Sequence, residues 1–218
     1  ADERVRDFPF VLNATGRRPN TRELGLEALG IALDKAGAVP VDAALQTTAA
    51  GVYAIGDVTD RKNLTPVAIA EGRAVADTLF GGTPCTVDLS RVASAVFTLP
   101  PIATVGLSEA EAEATGRAVR VFEADFLPMR QAFVGGTERC YMKLLVDAAT
   151  DRLLGLHMLG ADAPEIVQSL SVALTAGATK AHFDQTLAVH PTVAEEFVLM
   201  REPTRLLNGS AAAGDIPG

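Results

Sequence analysis

What most constrains this fold is the change of texture after Arg91. Short apolar stretches of strand length follow one another at Ala95–Phe97, Thr104–Leu107, Val119–Phe126, Tyr141–Val146 and Leu153–Leu159. The longer helical patterns come afterwards. The clearest is Pro164–Gly177, where Ile166, Leu170, Ala173 and Leu174 share one face. A short helix should follow from Thr179, and a last one from Thr192 to about Met200. Strands grouped ahead of helices leave no regular β-α-β crossovers. The reading is therefore an α+β domain built on an antiparallel sheet. Ser108 and Glu111 have the spacing of a capping box for one further short helix, ending at Gly116.

The first 90 residues read differently. Phe8–Ala14 is predicted to be a buried strand running into the turn-rich segment Thr15–Asn20, although an isolated strand needs a sheet to join. Val52–Asp57 reads as a short strand that delivers a carboxylate at a Gly-Asp turn, an arrangement common where sheets bind ligands. Thr65 is expected to cap a helix with Pro66 at its first position, and Gly81-Gly82 should stop it. Pro84–Ser90 reads as a domain crossing. The tail from Asn208 is small and polar and is expected to be mobile. No internal repeat and no GxGxxG occurs in the 218 residues.

Composition removes several function classes. Net charge is −8 and tryptophan is absent, which argues against a nucleic-acid footprint or a base-stacking platform. No apolar run approaches the ~18 residues of a membrane span. The two cysteines, Cys85 and Cys140, are too far apart for a redox or zinc motif. Such sparse cysteines suit a reducing cytoplasm, the expected location. His157 alternates with apolar neighbours and His182 sits in a polar stretch, so neither is assigned a role.

His190-Pro191-Thr192-Val193-Ala194-Glu195 carries chemistry of its own. A carboxylate that orients an imidazole and stabilises its charged form makes a proton-transfer pair near neutral pH. Thr192 and Glu195 also have capping-box spacing, and on spacing alone that plain helix start is the stronger reading.

Longer stretches alter that balance. Met142–Arg205, Leu64–Gly82 (LTPVAIAEGRAVADTLFGG), Val52–Asp57 (VYAIGD) and Ala14–Asn20 (ATGRRPN) together resemble the C-terminal portion of the glutathione reductase family, within the class I pyridine nucleotide-disulfide oxidoreductases. The resemblance runs from Phe8 to Arg205. It implies that residues 1–20 end an NADPH-binding domain and 21–88 return to a Rossmann-like FAD-binding domain. Residues 89–207 would then form a dimerisation domain and 208–218 a flexible tail.

The resemblance also implies roles. Thr48–Asp57 looks like the family's second flavin motif, with Asp57 accepting hydrogen bonds from ribityl hydroxyls. Leu64 and Thr65 lie where the helix N-terminus would face the flavin. Gly16 would approach NADPH through its backbone. Arg73 aligns with an arginine that binds a carboxylate of glutathione disulfide, although a solvated helix arginine near Glu71 and Asp77 is the plain alternative. Met129 aligns with a methionine packed on substrate, where composition alone suggests core filler. His190 takes the acid/base role with Glu195 as its orienting partner, both serving the partner subunit of a homodimer.

A similar His-Pro-Thr occurs in dihydrolipoamide dehydrogenase, but that relative usually has a second histidine where Ala188 stands. Mercuric reductase lacks the histidine. The family's Cys-x4-Cys pair and its GxGxxG do not occur in this chain. The chain is therefore expected to be part of an NADPH- and FAD-dependent glutathione-disulfide reductase and inactive alone. The competing expectations are a dihydrolipoamide dehydrogenase-like flavoenzyme fragment and, for the isolated chain, a non-catalytic dimerisation module.

Overall fold

A computed structural model describes residues 7–209. The chain divides into two compact units, residues 1–87 and 88–218. The expected mobile tail falls outside the described residues from Ser210 onward.

In the second unit, β1 (Ser94–Val96), β2 (Ile102–Gly106), β3 (Val119–Phe126), β4 (Cys140–Asp147), β5 (Leu153–Leu159) and β6 (Arg205–Leu207) form one sheet in the order β1-β2-β5-β4-β3-β6. Every pairing is antiparallel. The expected α+β architecture is therefore what forms. The register of β3 on β4 runs from Val119–Asp147 to Phe126–Cys140.

Alternation along these strands sends successive residues to opposite faces. On one face Phe122, Met142, Leu144, Leu156 and Met158 are buried with Val167, Leu174, Phe183 and Phe197 from the helices. On the other, Val119, Val121 and Leu145 pack on Ala112. Each fully buried side chain of this size stabilises the fold by roughly 1.5–3 kcal/mol.

The helices of this unit are α2 (Glu109–Ala114), α3 (Met129–Phe133), α4 (Ala163–Thr175), α5 (Lys180–Gln185) and α6 (Glu196–Leu199), and all follow α1 (Thr65–Phe80) of the first unit. Ser108 caps α2 through the expected box: its hydroxyl accepts from the Glu111 N–H, and the Glu111 carboxylate accepts from the Ser108 N–H at 2.7 Å. α6 is shorter than its sequence pattern suggests. Residues 193–198 are wound by bonds to the third residue back, such as Val198 N–H to the Glu195 carbonyl at 3.0 Å, so the α form is reached only at Glu196.

The first unit departs further from expectation. Phe8–Ala14 forms no strand, and Phe10, Val11 and Leu12 are about nine-tenths exposed at 89%, 89% and 91%. Strand-forming residues need a partner for their backbone groups, and β pairing among the described residues of this unit is confined to a Gln46–Tyr53 bridge. That bridge also limits the expected Val52–Asp57 strand, which breaks into a 3-10 turn at Gly56–Thr59. α1 begins one residue earlier than its capping pattern suggests. Leu64 is the N-cap, Thr65 already lies inside the helix, and no side chain caps the end. Its C-terminus is closed as expected, with the Gly81 N–H bonded to the Asp77 carbonyl at 2.9 Å.

Candidate functional site

The end of β3 leads through Leu127-Pro128 into α3 and builds one wall of a groove. The opposite wall is His190–Glu196 and Leu199. The groove has a volume of about 840 Å³ and is lined mainly by apolar side chains, among them Phe126, Met129 and Phe133. Met129 is exposed at its rim, as is Phe133. Three of the sequence-selected residues, Met129, His190 and Glu195, therefore meet in one concave surface of the second unit.

The His190 Nδ1 lies 3.1 Å from both Glu195 carboxylate oxygens. The imidazole is 69% exposed and the carboxylate only 12%, so the buried partner fixes an open ring. The Glu195 N–H donates to the Thr192 hydroxyl at 3.2 Å, while its carboxylate accepts from the Thr192 N–H at 3.4 Å. The helix-start pattern and the His–carboxylate pair thus coexist, because one carboxylate serves both. Glu196 lines the same groove, and burial followed by the adjacent Glu195 charge pushes its carboxyl above the ordinary value.

The remaining histidines are engaged in structure. His157 Nε2 meets the Leu107 carbonyl at 2.9 Å, and burial holds the ring below its usual value. His182 Nδ1 accepts from the Thr179 N–H and closes the start of α5. Cys140 is buried, and desolvation pushes its thiol up to about 12, which leaves it unreactive. Cys85 is half-buried and also free.

Within the first unit, Asp57 is exposed on the 3-10 turn that packs against α1, the helix whose start carries Leu64 and Thr65. At the uncapped start of α1, Pro66 has no N–H and the Leu64 and Val67 N–H groups donate to the Lys62 and Leu64 carbonyls, so the Thr65 N–H is the donor left for an electron-rich atom. Gly16 has φ 125° with open space where a Cβ would stand. Arg73 is exposed along α1. Its expected neighbour Glu71 turns inward instead. Glu71 is 1% exposed, pairs with Arg61 and accepts from the Gly56 N–H at 2.7 Å. Sequence reasoning missed this contact, since nothing in the helical pattern separates an inward glutamate from a solvated one.

The sheet-and-helix unit matches the dimerisation domain of pyridine nucleotide-disulphide oxidoreductases over residues 92–201, and residues 1–72 match the pyridine nucleotide-disulphide oxidoreductase family itself. The chain belongs to the pyridine nucleotide-disulphide oxidoreductase family. Within it, the chain is 52% identical to glutathione reductase of Burkholderia cepacia, over 88% of this chain and 42% of that protein. It is 48% identical to the chloroplastic/mitochondrial glutathione reductase of Pisum sativum, over 94% of this chain and 37% of that one. Trypanothione reductase of Trypanosoma congolense shares 42% over 91% and 40%. Among solved structures, the HOCl-induced flavoprotein disulfide reductase RclA from Escherichia coli superposes with a TM-score of 0.74 at 32% identity, covering 86% of this chain and 43% of that one. The chain thus spans about two fifths of the length of the curated relatives it matches. No helix among the described residues is long and apolar enough to cross a membrane.

Proposed function

We propose that this chain is the C-terminal part of an FAD- and NADPH-dependent disulfide reductase acting on glutathione disulfide. In this reading residues 1–20 end the NADPH-binding domain, 21–88 complete the FAD-binding domain and 89–207 form the dimerisation domain of a cytoplasmic homodimer. The observation that carries it is the exposed His190 ring held at Nδ1 by both oxygens of Glu195, at the edge of a groove that also holds Met129.

The chemistry follows from that geometry. Cleaving a disulfide expels a thiolate, whose conjugate thiol has a pKa of about 8.5, against about 6.5 for imidazole. A protonated histidine can therefore neutralise the leaving sulfur. With Nδ1–H donated to Glu195, Nε2 faces outward as the atom that delivers the proton. Glu195, 3.1 Å from Nδ1 through both oxygens, holds the ring plane throughout. Met129 gives substrate an apolar contact; Arg73 is assigned a substrate carboxylate by the family resemblance alone.

FAD, when bound, supplies the electron relay between NADPH and the disulfide. The residues present fit it. Asp57 presents an exposed carboxylate to hydroxyl groups, and at the start of α1 the Thr65 N–H offers a backbone donor beside Leu64. Gly16 would approach NADPH through its backbone. We favour glutathione disulfide over trypanothione disulfide as the substrate because identity to the glutathione reductases is 48–52%, against 42% to a trypanothione reductase.

Two substitutions in the full-length protein test the His–Glu pair. His190→Gln should slow reoxidation of the reduced enzyme by glutathione disulfide by about 10²–10⁴ in stopped flow, leaving reduction by NADPH nearly unchanged. Glu195→Gln keeps a capping-box side chain but removes the charge, so a purely structural Glu195 would tolerate it. Unchanged reoxidation in both variants would reduce the motif to a helix start.

A further inference from the structure

Among the described residues of the first unit Glu71 is the most thoroughly buried charged side chain, and it spends both oxygens on one loop. Oε2 accepts from the Gly56 N–H at 2.7 Å, and Oε1 accepts from the Arg61 guanidinium. The two donors bracket the 3-10 turn Gly56–Thr59, so a single carboxylate on α1 closes the loop at both ends. Inside it, the Thr59 hydroxyl donates to the Gly56 carbonyl at 2.7 Å. The loop cannot lift to relieve a lost contact without opening a buried charge. The turn also lies close against α1, because a Cβ added at Gly56 would stand 2.8 Å from the Ala68 Cβ, so only glycine fits there. Asp57 follows directly on the clamped Gly56, and its side chain faces outward.

We propose that Glu71, with Arg61 as its counter-ion, is a positioning residue for the flavin: it fixes the Gly56–Asp57 turn against α1 and so sets where the Asp57 carboxylate meets the cofactor. This rests on the reading of Asp57 as a flavin ligand given above. Glu71 touches no cofactor itself. It acts by removing freedom from a loop whose ligand must be placed to within a fraction of an ångström. A buried carboxylate is suited to this because deleting it leaves the Gly56 N–H and the Arg61 charge without partners, whereas a neutral acceptor would hold only one end.

The test uses the full-length protein and two readouts, FAD affinity by fluorescence titration and hydrogen exchange of residues 55–61 in the FAD-free form. Glu71→Ala should weaken FAD binding about tenfold or more. It should also expose the 55–61 amides to exchange while α1 stays protected. On an Asp57→Asn background the same change should add little, because both act through one contact. Glu71→Gln should restore protection at Gly56 and part of the FAD affinity while leaving the Arg61 end loose. This variant decides the matter if Glu71→Ala does not fold. A folded Glu71→Ala protein with wild-type FAD affinity and wild-type exchange would overturn the proposal, as would full additivity with Asp57→Asn. Absence of FAD binding in the unsubstituted protein would instead overturn the flavin reading, and the exchange experiment would still decide whether Glu71 holds the turn.

Discussion

At the scale of single residues, chemistry depends on which side of an element a side chain faces. Glu195 and Glu71 both lie in helical surroundings, yet one orients an exposed imidazole and the other is sealed against a loop. Gly56 shows the same dependence in the backbone. Its φ is 66°, which side chains resist, and the space a Cβ needs is taken by Ala68. Gly56→Ala is expected to destabilise the protein by about 1–3 kcal/mol, read as a lower urea midpoint with an unchanged slope. Equal stability would mean that the turn rests less tightly on α1 than the 2.8 Å approach requires. The Gly-Asp pattern was legible in the sequence; the glutamate holding it was not, because its partners lie 15 and 10 positions away.

Among elements, the least legible was β6. It has only three residues and no alternation long enough to read, yet it completes the sheet edge beside β3. Arg205 ties it down, bridging Glu109 of α2 and Glu123 of β3, while Lys143 of β4 also meets Glu109. The Arg205 and Lys143 hydrogen bonds hold the Glu109 carboxyl at about 2, below its ordinary 4.5. A carboxyl lowered in the folded state stabilises fully above its unfolded value and loses that contribution as pH falls through the folded one. Arg205→Met should therefore cost about 1 kcal/mol near neutral pH, a modest figure because these groups are partly exposed. The difference from the unsubstituted protein should shrink between pH 4.5 and 2. Thermal melts across that range would check it, and a pH-independent difference would show that Arg205 acts by packing alone. α3 was missed for a similar reason: five residues give no period to count, and its place as a groove wall comes from the turn after β3.

On the scale of the whole molecule, the second unit presents large apolar side chains to solvent, including Phe97 at 81%, Leu99 at 99% and Leu187 at 92%. Scattered exposed apolar residues are ordinary, so an interface is inferred from the match to a dimerisation domain over residues 92–201. A homodimer formed through this unit is the expected state. Light scattering should give about twice the 22.7 kDa chain mass. A monomer mass that does not change with concentration would count against residues 89–207 as a dimerisation domain that associates by itself.

Local pattern alone determined β1 to β5, α4, both ends of α1 to within a residue, and the short span containing His190 and Glu195. Each of these is written in periodicity, turn residues or spacing over a few positions. The sequence also marked Phe8–Ala14 as a strand. Tertiary structure left it exposed, because hydrogen-bonded pairing needs a second strand that propensity cannot supply. Only the folded chain could bring Met129 across a groove from His190, about sixty positions apart in sequence. It likewise turned Glu71 inward to Gly56 and Arg61 rather than outward to Arg73. Which charge meets which backbone group is decided by packing, since a helix offers every residue the same local geometry and the surrounding elements choose the face that is buried.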